Sequence, residues 1–257
     1  MCGRYAASRN PDDLVEEFDV DERPEQFLEP SWNVAPTQDV YAVLERAPRG
    51  EPEQRPRRRL QVVRWGLVPS WAKDRAIGNR MINARMETVA DKPAFRKAFA
   101  NRRALLPADG YFEWYGEVKG KKQPFFIRPS DGGVLAMAGL YELWRDPSVP
   151  EDSGTDPWLW TATVLTTTAT DELGRIHDRM PLLVERERYA EWLDPGIDDA
   201  DRLRGLLVPA APGRLTAYPV ATTVSNVRNN GPELVEPLPV EGAPEGGKSG
   251  DDELQLF

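Results

Sequence analysis

Cys2, in Met1-Cys2-Gly3-Arg4-Tyr5, is the only cysteine of the 257-residue chain. Removal of an initiator methionine ahead of this small residue would leave two nucleophiles on one residue, an α-amine and a thiol. An α-amine has an unperturbed pKa of about 7.7–8.0, so a useful fraction is neutral near pH 7. Such an aminothiol captures an aldehyde as a Schiff base and closes a thiazolidine ring through sulfur. Alternatively, the amine serves as base while the thiolate attacks an acyl group. The bland alternative is a small buried apolar residue near a chain end.

Four further segments are polar where their surroundings predict strand or loop core. Ser31-Trp32-Asn33-Val34-Ala35-Pro36-Thr37 reads as an irregular turn with a proline bend. Arg80-Met81-Ile82-Asn83-Ala84-Arg85-Met86-Glu87-Thr88 places Asn83, Arg85 and Glu87 on one side of an extended segment. Ala108-Asp109-Gly110-Tyr111-Phe112-Glu113-Trp114 sets Glu113 between aromatic residues, and Ile176-His177-Asp178-Arg179-Met180-Pro181 holds the only histidine.

The elements that must position these residues are mostly strands. Val40–Leu44 and Leu60–Val68 flank a Pro/Arg-rich hairpin loop, and Arg103–Pro107, Tyr111–Tyr115, Pro124–Ile127 and Val134–Leu140 follow one another across Gly-containing turns. Trp158–Thr167 is the longest strand candidate, and Leu215–Pro219 closes the series. Helical patterns occupy residues 11–19, Lys92–Ala100 with Phe95 and Phe99 at i, i+4 spacing, Thr170–Gly174, Glu185–Trp192 and Asp199–Leu207. Strands outnumber helices and nothing repeats as βαβ. The pattern predicts one α+β domain over residues 2–238, with a mostly antiparallel, barrel-like β core and peripheral helices.

Composition bounds the chemistry. Hydrophobic content of 40% with 8 Trp fits a packed globular protein. One cysteine rules out an intramolecular disulfide framework, and one cysteine with one histidine argues against a metal site of either ligand; no metal or cofactor is expected. No apolar run approaches a membrane span and no signal-peptide core opens the chain, which predicts a cytoplasmic protein with no membrane partner. The net charge of −9 is unevenly spread. Residues 1–48 carry 4 Lys+Arg against 11 Asp+Glu, residues 49–128 carry 19 against 8, and residues 129–257 carry 10 against 23. A basic block between two acidic ones is what a polyanion-binding surface on a repulsive protein would look like. Part of that excess, Arg55-Pro56-Arg57-Arg58-Arg59, reads as a solvated loop.

Taken with Met1-Cys2-Gly3-Arg4, the four polar segments resemble the SRAP family of abasic-site processing proteins, also labelled SOS-response-associated peptidases. The resemblance runs from Cys2 to about residue 238 and includes Val224-Ser225-Asn226-Val227-Arg228-Asn229-Asn230-Gly231. It implies a barrel-like α+β fold with a positive cleft that binds abasic single-stranded DNA, and covalent coupling of the lesion to Cys2. It further implies that Asn83 orients the terminal residue, that Glu113 shuttles protons, and that His177 opens the sugar or assists strand scission and reversal of the link. A carboxyl between Phe112 and Trp114 is desolvated, which raises its pKa toward the working range. Arg4, Arg85 and Arg179 would hold phosphates. Trp65, Trp71 and Trp114 are candidates for stacking, worth about 1–3 kcal/mol per base, with Trp71 and Trp114 favoured. Pro36 and Thr166 would shape the pocket wall. Met180 departs from the pattern, standing where a second basic residue often follows.

Two rival readings keep part of the pattern. A glutamine-amidotransferase-type hydrolase also begins Met-Cys-Gly and uses Cys2 as acyl acceptor, but leaves the basic block unexplained. A non-catalytic single-stranded DNA-binding module leaves Cys2, Glu113 and His177 without a joint purpose. Peptidase activity is expected only as release of the protein's own Met1. The Gly/Pro/acidic stretch over residues 239–257 reads as a disordered tail ending in an apolar cluster, Leu254-Gln255-Leu256-Phe257, a candidate docking peptide for the replication machinery. A monomer is expected.

Overall fold

Strands whose apolar residues fall on both faces must be covered on both, and that requirement organises the molecule. In the computed structural model, residues 2–47, 54–116, 122–170, 173–209, 211 and 213–239 are described. Twelve strands run as β1 Tyr5–Ala7, β2 Ser31–Val34, β3 Asp39–Arg46, β4 Arg57–Trp65, β5 Asn83–Arg85, β6 Arg103–Ala108, β7 Gly110–Tyr115, β8 Gln123–Pro129, β9 Leu135–Arg145, β10 Trp158–Thr168, β11 Arg179–Pro181 and β12 Leu215–Pro219. The helices are α1 Pro11–Glu17, α2 Arg96–Asn101, α3 Leu173–Ile176, α4 Tyr189–Leu193 and α5 Ala200–Gly205.

Five strands close on themselves in the order β3-β4-β10-β9-β6 and back to β3. Every pairing is antiparallel except β4 with β10. Gly139 on β9 lies opposite both Ala104 and Val164, and a Cβ there would meet Leu106 Cδ1 at 2.1 Å. The ring closes at that point because no side chain intrudes. One face of the barrel strands, with Tyr41, Val43, Leu60, Leu105, Leu140 and Leu165, packs with Leu14, Phe18, Phe99, Trp192 and Leu203 from the helices. Since helices can lie only outside, Val40, Ala42, Leu44, Val63, Leu106, Met137 and Val164 fill the interior. Each fully buried large side chain contributes about 1.5–3 kcal/mol.

A second, all-antiparallel sheet runs β12-β8-β7-β1-β2. One face of it supplies Tyr5, Tyr111 and Ile127 to the barrel interior. The other, with Ala6, Phe112 and Phe126, is covered by Val220, Val224 and Leu234 from the segment after β12. The α+β barrel expected from the sequence is therefore present, with this sheet packed against the barrel interior.

Several boundaries differ from the sequence expectation. Ser31–Val34 is strand, pairing with β1, and the turn comes only at Thr37, whose φ is 76°. Strand β4 begins three residues early, at Arg57, because Arg58 bonds to Glu45 across the hairpin and Arg59 to Glu22 of the segment after α1; those arginines are strand rather than solvated loop. It ends at Gly66, φ 124°, where a Cβ would meet Gly78 O at 2.6 Å. The 92–100 helix forms only from Arg96, since Pro93 breaks its start. Glu185–Trp192 divides into a 3₁₀ turn over 186–188 and α4. The expected acidic tail beyond residue 239, residues 48–53 of the Arg-rich loop and residues 171–172 lie outside the described residues.

Candidate active site

Cys2 enters the structure just ahead of β1 and has no exposed surface. Its carbonyl accepts a 2.7 Å hydrogen bond from Asn83 Nδ2. Asn83 is placed by β5, which adds in parallel to β10 with Asn83 opposite Val164. The thiol lies in one cluster with Tyr5, Tyr111 and Trp65. Burial pushes its pKa far up and Glu113 adds to that rise, while the positive amino terminus and the Arg4 backbone N–H oppose it. With residue 1 in place, the group is a protonated thiol.

Glu113 projects from β7 and is 4% exposed. Burial raises its carboxyl above the ordinary 4.5, against the positive amino terminus and His177. His177 follows α3 in the connection from β10 to β11, with its Nδ1 3.0 Å from the Arg179 backbone N–H and 2.9 Å from Asp178 Oδ1. A neutral ring accepts from the amide through Nδ1 and carries its proton on Nε2, whereas a protonated ring favours the carboxylate. His177 thus acts electrostatically on Glu113.

The other expected residues fall into two groups. Arg179 is committed: its guanidinium donates to both Glu87 oxygens at 2.6 and 3.0 Å and to the Thr166 carbonyl at 2.6 Å. Thr166, 1% exposed, holds that arginine through its carbonyl and, at 3.3 Å, its hydroxyl. Arg4 is committed as well, donating to Asn33 Oδ1 at 2.6 Å and Val224 O at 2.9 Å and lying 5.7 Å from the Trp114 ring. Trp114 is pinned on its other side by an Nε1 bond to Ser225 Oγ at 3.0 Å. In contrast, Trp71 (61% exposed) and Arg85 face solvent, along with Lys73, Arg75 and Arg80. Pro36 is half-buried in the turn between β2 and β3, where Thr37 N–H donates to Trp65 O.

Met180, where the family pattern often has a basic residue, is buried. Two expectations need correction. Trp65 is fully buried with its Nε1 on the Ile82 carbonyl, so it cannot stack on a base. Much of the basic block is consumed internally: Arg58 and Arg59 pair with Glu45 and Glu22, Arg102 pairs with Glu142, and buried Arg103 bonds to the Phe99, Ala100, Trp192 and Asp194 carbonyls. The exposed basic residues of the block include Lys73, Arg75, Arg80 and Arg85 in the 71–85 segment and Lys92, Arg96 and Lys97 beyond it. Sequence reasoning passed over Tyr5, Tyr111 and Asn33. Tyr111 stands two residues before Glu113 on the same strand face, a period-2 signal that could have identified it. Asn33 (2% exposed) spends its amide on the Val224, Asn226 and Asn229 carbonyls, fixing the 224–229 loop.

The family model described as SOS response associated peptidase (SRAP) matches residues 1–227. The chain belongs to the SRAP family. Relatives include the abasic site processing protein YoqW of Bacillus subtilis, 39% identical over 92% of this chain and 99% of its own length. YedK of Escherichia coli, another abasic site processing protein, is 33% identical over 93% of this chain and all of its own length. A solved structure from Bacteroides thetaiotaomicron superposes with a TM-score of 0.75 at 23% identity, covering 92% of this chain and all of that one. The SRAP match thus spans all the residues named above up to Val227. Among the described residues, no helix of this SRAP chain is long and apolar enough to cross a membrane.

Proposed function

We propose that the protein captures abasic sites in single-stranded DNA by covalent bonding to Cys2 after release of Met1. The observation that carries this reading is the seating of Cys2, buried beside a carboxyl that holds its proton to higher pH than usual, with its own carbonyl fixed by Asn83. The names of the relatives supply the lesion.

The ring-opened abasic deoxyribose carries an aldehyde at C1. The neutral amine of Cys2 adds to it and gives a carbinolamine. Protonated Glu113 donates to the departing hydroxyl, water leaves, and an iminium remains beside the Glu113 carboxylate. The thiol then adds to the same carbon and gives its proton to that carboxylate. The thiazolidine forms with loss of one water, and Glu113 returns to its starting state. A thiol held protonated by burial suits this order, because sulfur acts last and loses its proton only on addition. Asn83 orients the terminal residue, and His177 assists sugar opening and reversal of the link. Arg85 and Trp71 meet the DNA directly, Arg179 and Arg4 line its path, and Trp114, Pro36 and Thr166 shape the wall.

Incubating the protein with an abasic single-stranded oligonucleotide should give a band that survives denaturation. Cys2→Ala should abolish it, and Cys2→Ser should leave only an imine that borohydride traps. His177→Ala should form the adduct but change its release over time. An undiminished stable adduct from Cys2→Ala would refute the assignment. Cys2-dependent glutamine hydrolysis without any DNA adduct would instead favour amide chemistry.

A further inference from the structure

We propose that the Tyr5 and Tyr111 hydroxyls are catalytic hydrogen-bond donors that hold the oxygen at C1 of the opened sugar while Cys2 attacks. The inference rests on the abasic-site reading above. Its geometric basis is that Tyr5 and Tyr111 stand directly opposite one another in the β1–β7 register, 0% and 1% exposed, in the same cluster as Cys2. Glu113 lies on the Tyr111 face of the same strand.

Among the described residues neither tyrosine hydroxyl has a hydrogen-bond partner, and the Asn83 Oδ1 beside Cys2 is likewise unpaired. Thr163 Oγ1 and single nitrogens of Arg4, Arg64, Arg128 and Arg179 are also without a partner, but the buried tryptophan donors of the core are satisfied. Trp65, Trp144 and Trp192 donate to the Ile82, Ala72 and Ala104 carbonyls at 2.9, 2.7 and 2.9 Å. A buried hydroxyl without a partner destabilises a fold relative to phenylalanine, so two on opposed residues in the cluster that holds the nucleophile point to a ligand oxygen. Burial pushes both phenols well above their ordinary range, with Cys2 adding to both and Glu113 to Tyr111. They are therefore donors and not bases.

As the amine adds, negative charge grows on the C1 oxygen, and two fixed O–H donors stabilise it there. Glu113 then supplies the proton with which that oxygen leaves as water. The phenols keep their protons throughout.

Tyr111→Phe and Tyr5→Phe remove one oxygen each and test this. In single-turnover adduct formation with abasic single-stranded DNA, Tyr111→Phe and Tyr5→Phe each lower the maximal rate roughly 10²-fold, the scale of losing an oxyanion donor. The DNA concentration at half-maximal rate stays within about 2-fold, because the donors act on the developing charge rather than on the bound strand. Thermal midpoints stay at or above wild type, since an unsatisfied hydroxyl is gone. Wild-type rates in both variants overturn the proposal. A midpoint that falls with the rate also overturns it, by making the hydroxyls structural. A wild-type protein that forms no adduct removes the abasic-site reading itself, and this inference with it.

Discussion

Glu113 and Glu142 are 4% and 3% exposed, and burial raises the carboxyl of each above its ordinary value. Their neighbours differ. Arg102 Nη1 reaches both Glu142 oxygens at 2.9 and 3.0 Å, and the Leu143 N–H donates at 3.0 Å. Glu142 is thus a fixed half of an ion pair whose partner is a permanent cation. Glu113 interacts electrostatically with the buried thiol of Cys2, the Tyr111 phenol, the chain's amino terminus, His177 and Asp178, groups that can exchange or bind a proton. Burial alone does not mark a catalytic acid. A carboxyl is available for proton transfer when its surroundings leave the proton somewhere to go.

Exchanging each carboxyl for an amide should break the symmetry of the pair. Glu113→Gln is expected to slow adduct formation by about 10²-fold, the scale of losing a general acid–base. The fold itself should gain. The folded state holds the Glu113 proton to higher pH than the unfolded state does, so its contribution to stability is present below 4.5 and is lost as pH rises through the raised value. Above that window the wild type carries a buried carboxylate, and the Glu113→Gln variant carries a neutral amide in its place. Thermal denaturation at pH 5 and pH 8 should therefore show the variant gaining on wild type at the higher pH. Equal rates for wild type and Glu113→Gln would return Glu113 to the class of Glu142.

Glu142→Gln should do the reverse. It removes the charged partner of Arg102 and is expected to cost about 2 kcal/mol, the scale of a hydrogen bond to a charged group, with adduct formation unchanged. Chemical denaturation with a single-turnover assay on the same sample checks both. A rate loss comparable to that of Glu113→Gln would show that the barrel wall and the site are coupled.

How much of this was legible in the sequence follows the length of each pattern. The barrel strands were visible because β3, β9 and β10 carry apolar runs bounded by turn residues and rich in strand-forming side chains. β5 and β11, three residues each, carry no periodic signal, and they exist because β10 offers them an edge. The closing contact of β4 with β10 was hidden, since parallel pairing across a hundred residues leaves no local trace. Cys2, Asn83, Glu113 and His177 could be named from their motifs, yet Tyr5 and Tyr111 read as ordinary strand aromatics. Their missing partners distinguish them, and for Tyr111 also its period-2 spacing from Glu113. The basic block misled in one respect: counting charges cannot tell which arginines the fold keeps for itself, and Arg58, Arg59, Arg102 and Arg103 are kept.

The same contrast recurs at the surface in Arg179 and Arg85, with the smallest expected effect. Arg179 is already neutralised by Glu87, whose carboxyl that arginine holds below its ordinary value. Arg85 is exposed on β5 and has no ion pair among the described residues. A phosphate contact on a single strand contributes about −0.7 to the slope of log affinity against log salt, because it releases condensed counterions. A contact made by Arg85 releases them in full. One made by Arg179 must first compete with Glu87, so its net release is smaller. Arg85→Ala should accordingly flatten the salt slope by about 0.7 and weaken binding to many sequences alike, whereas Arg179→Ala should flatten it by less. Titrating both variants against intact and abasic single strands across a salt series measures the difference. Equal slopes for the two variants would mean that Glu87 releases Arg179 when DNA arrives. Unchanged affinity and slope in both would put the DNA path on another face of the barrel.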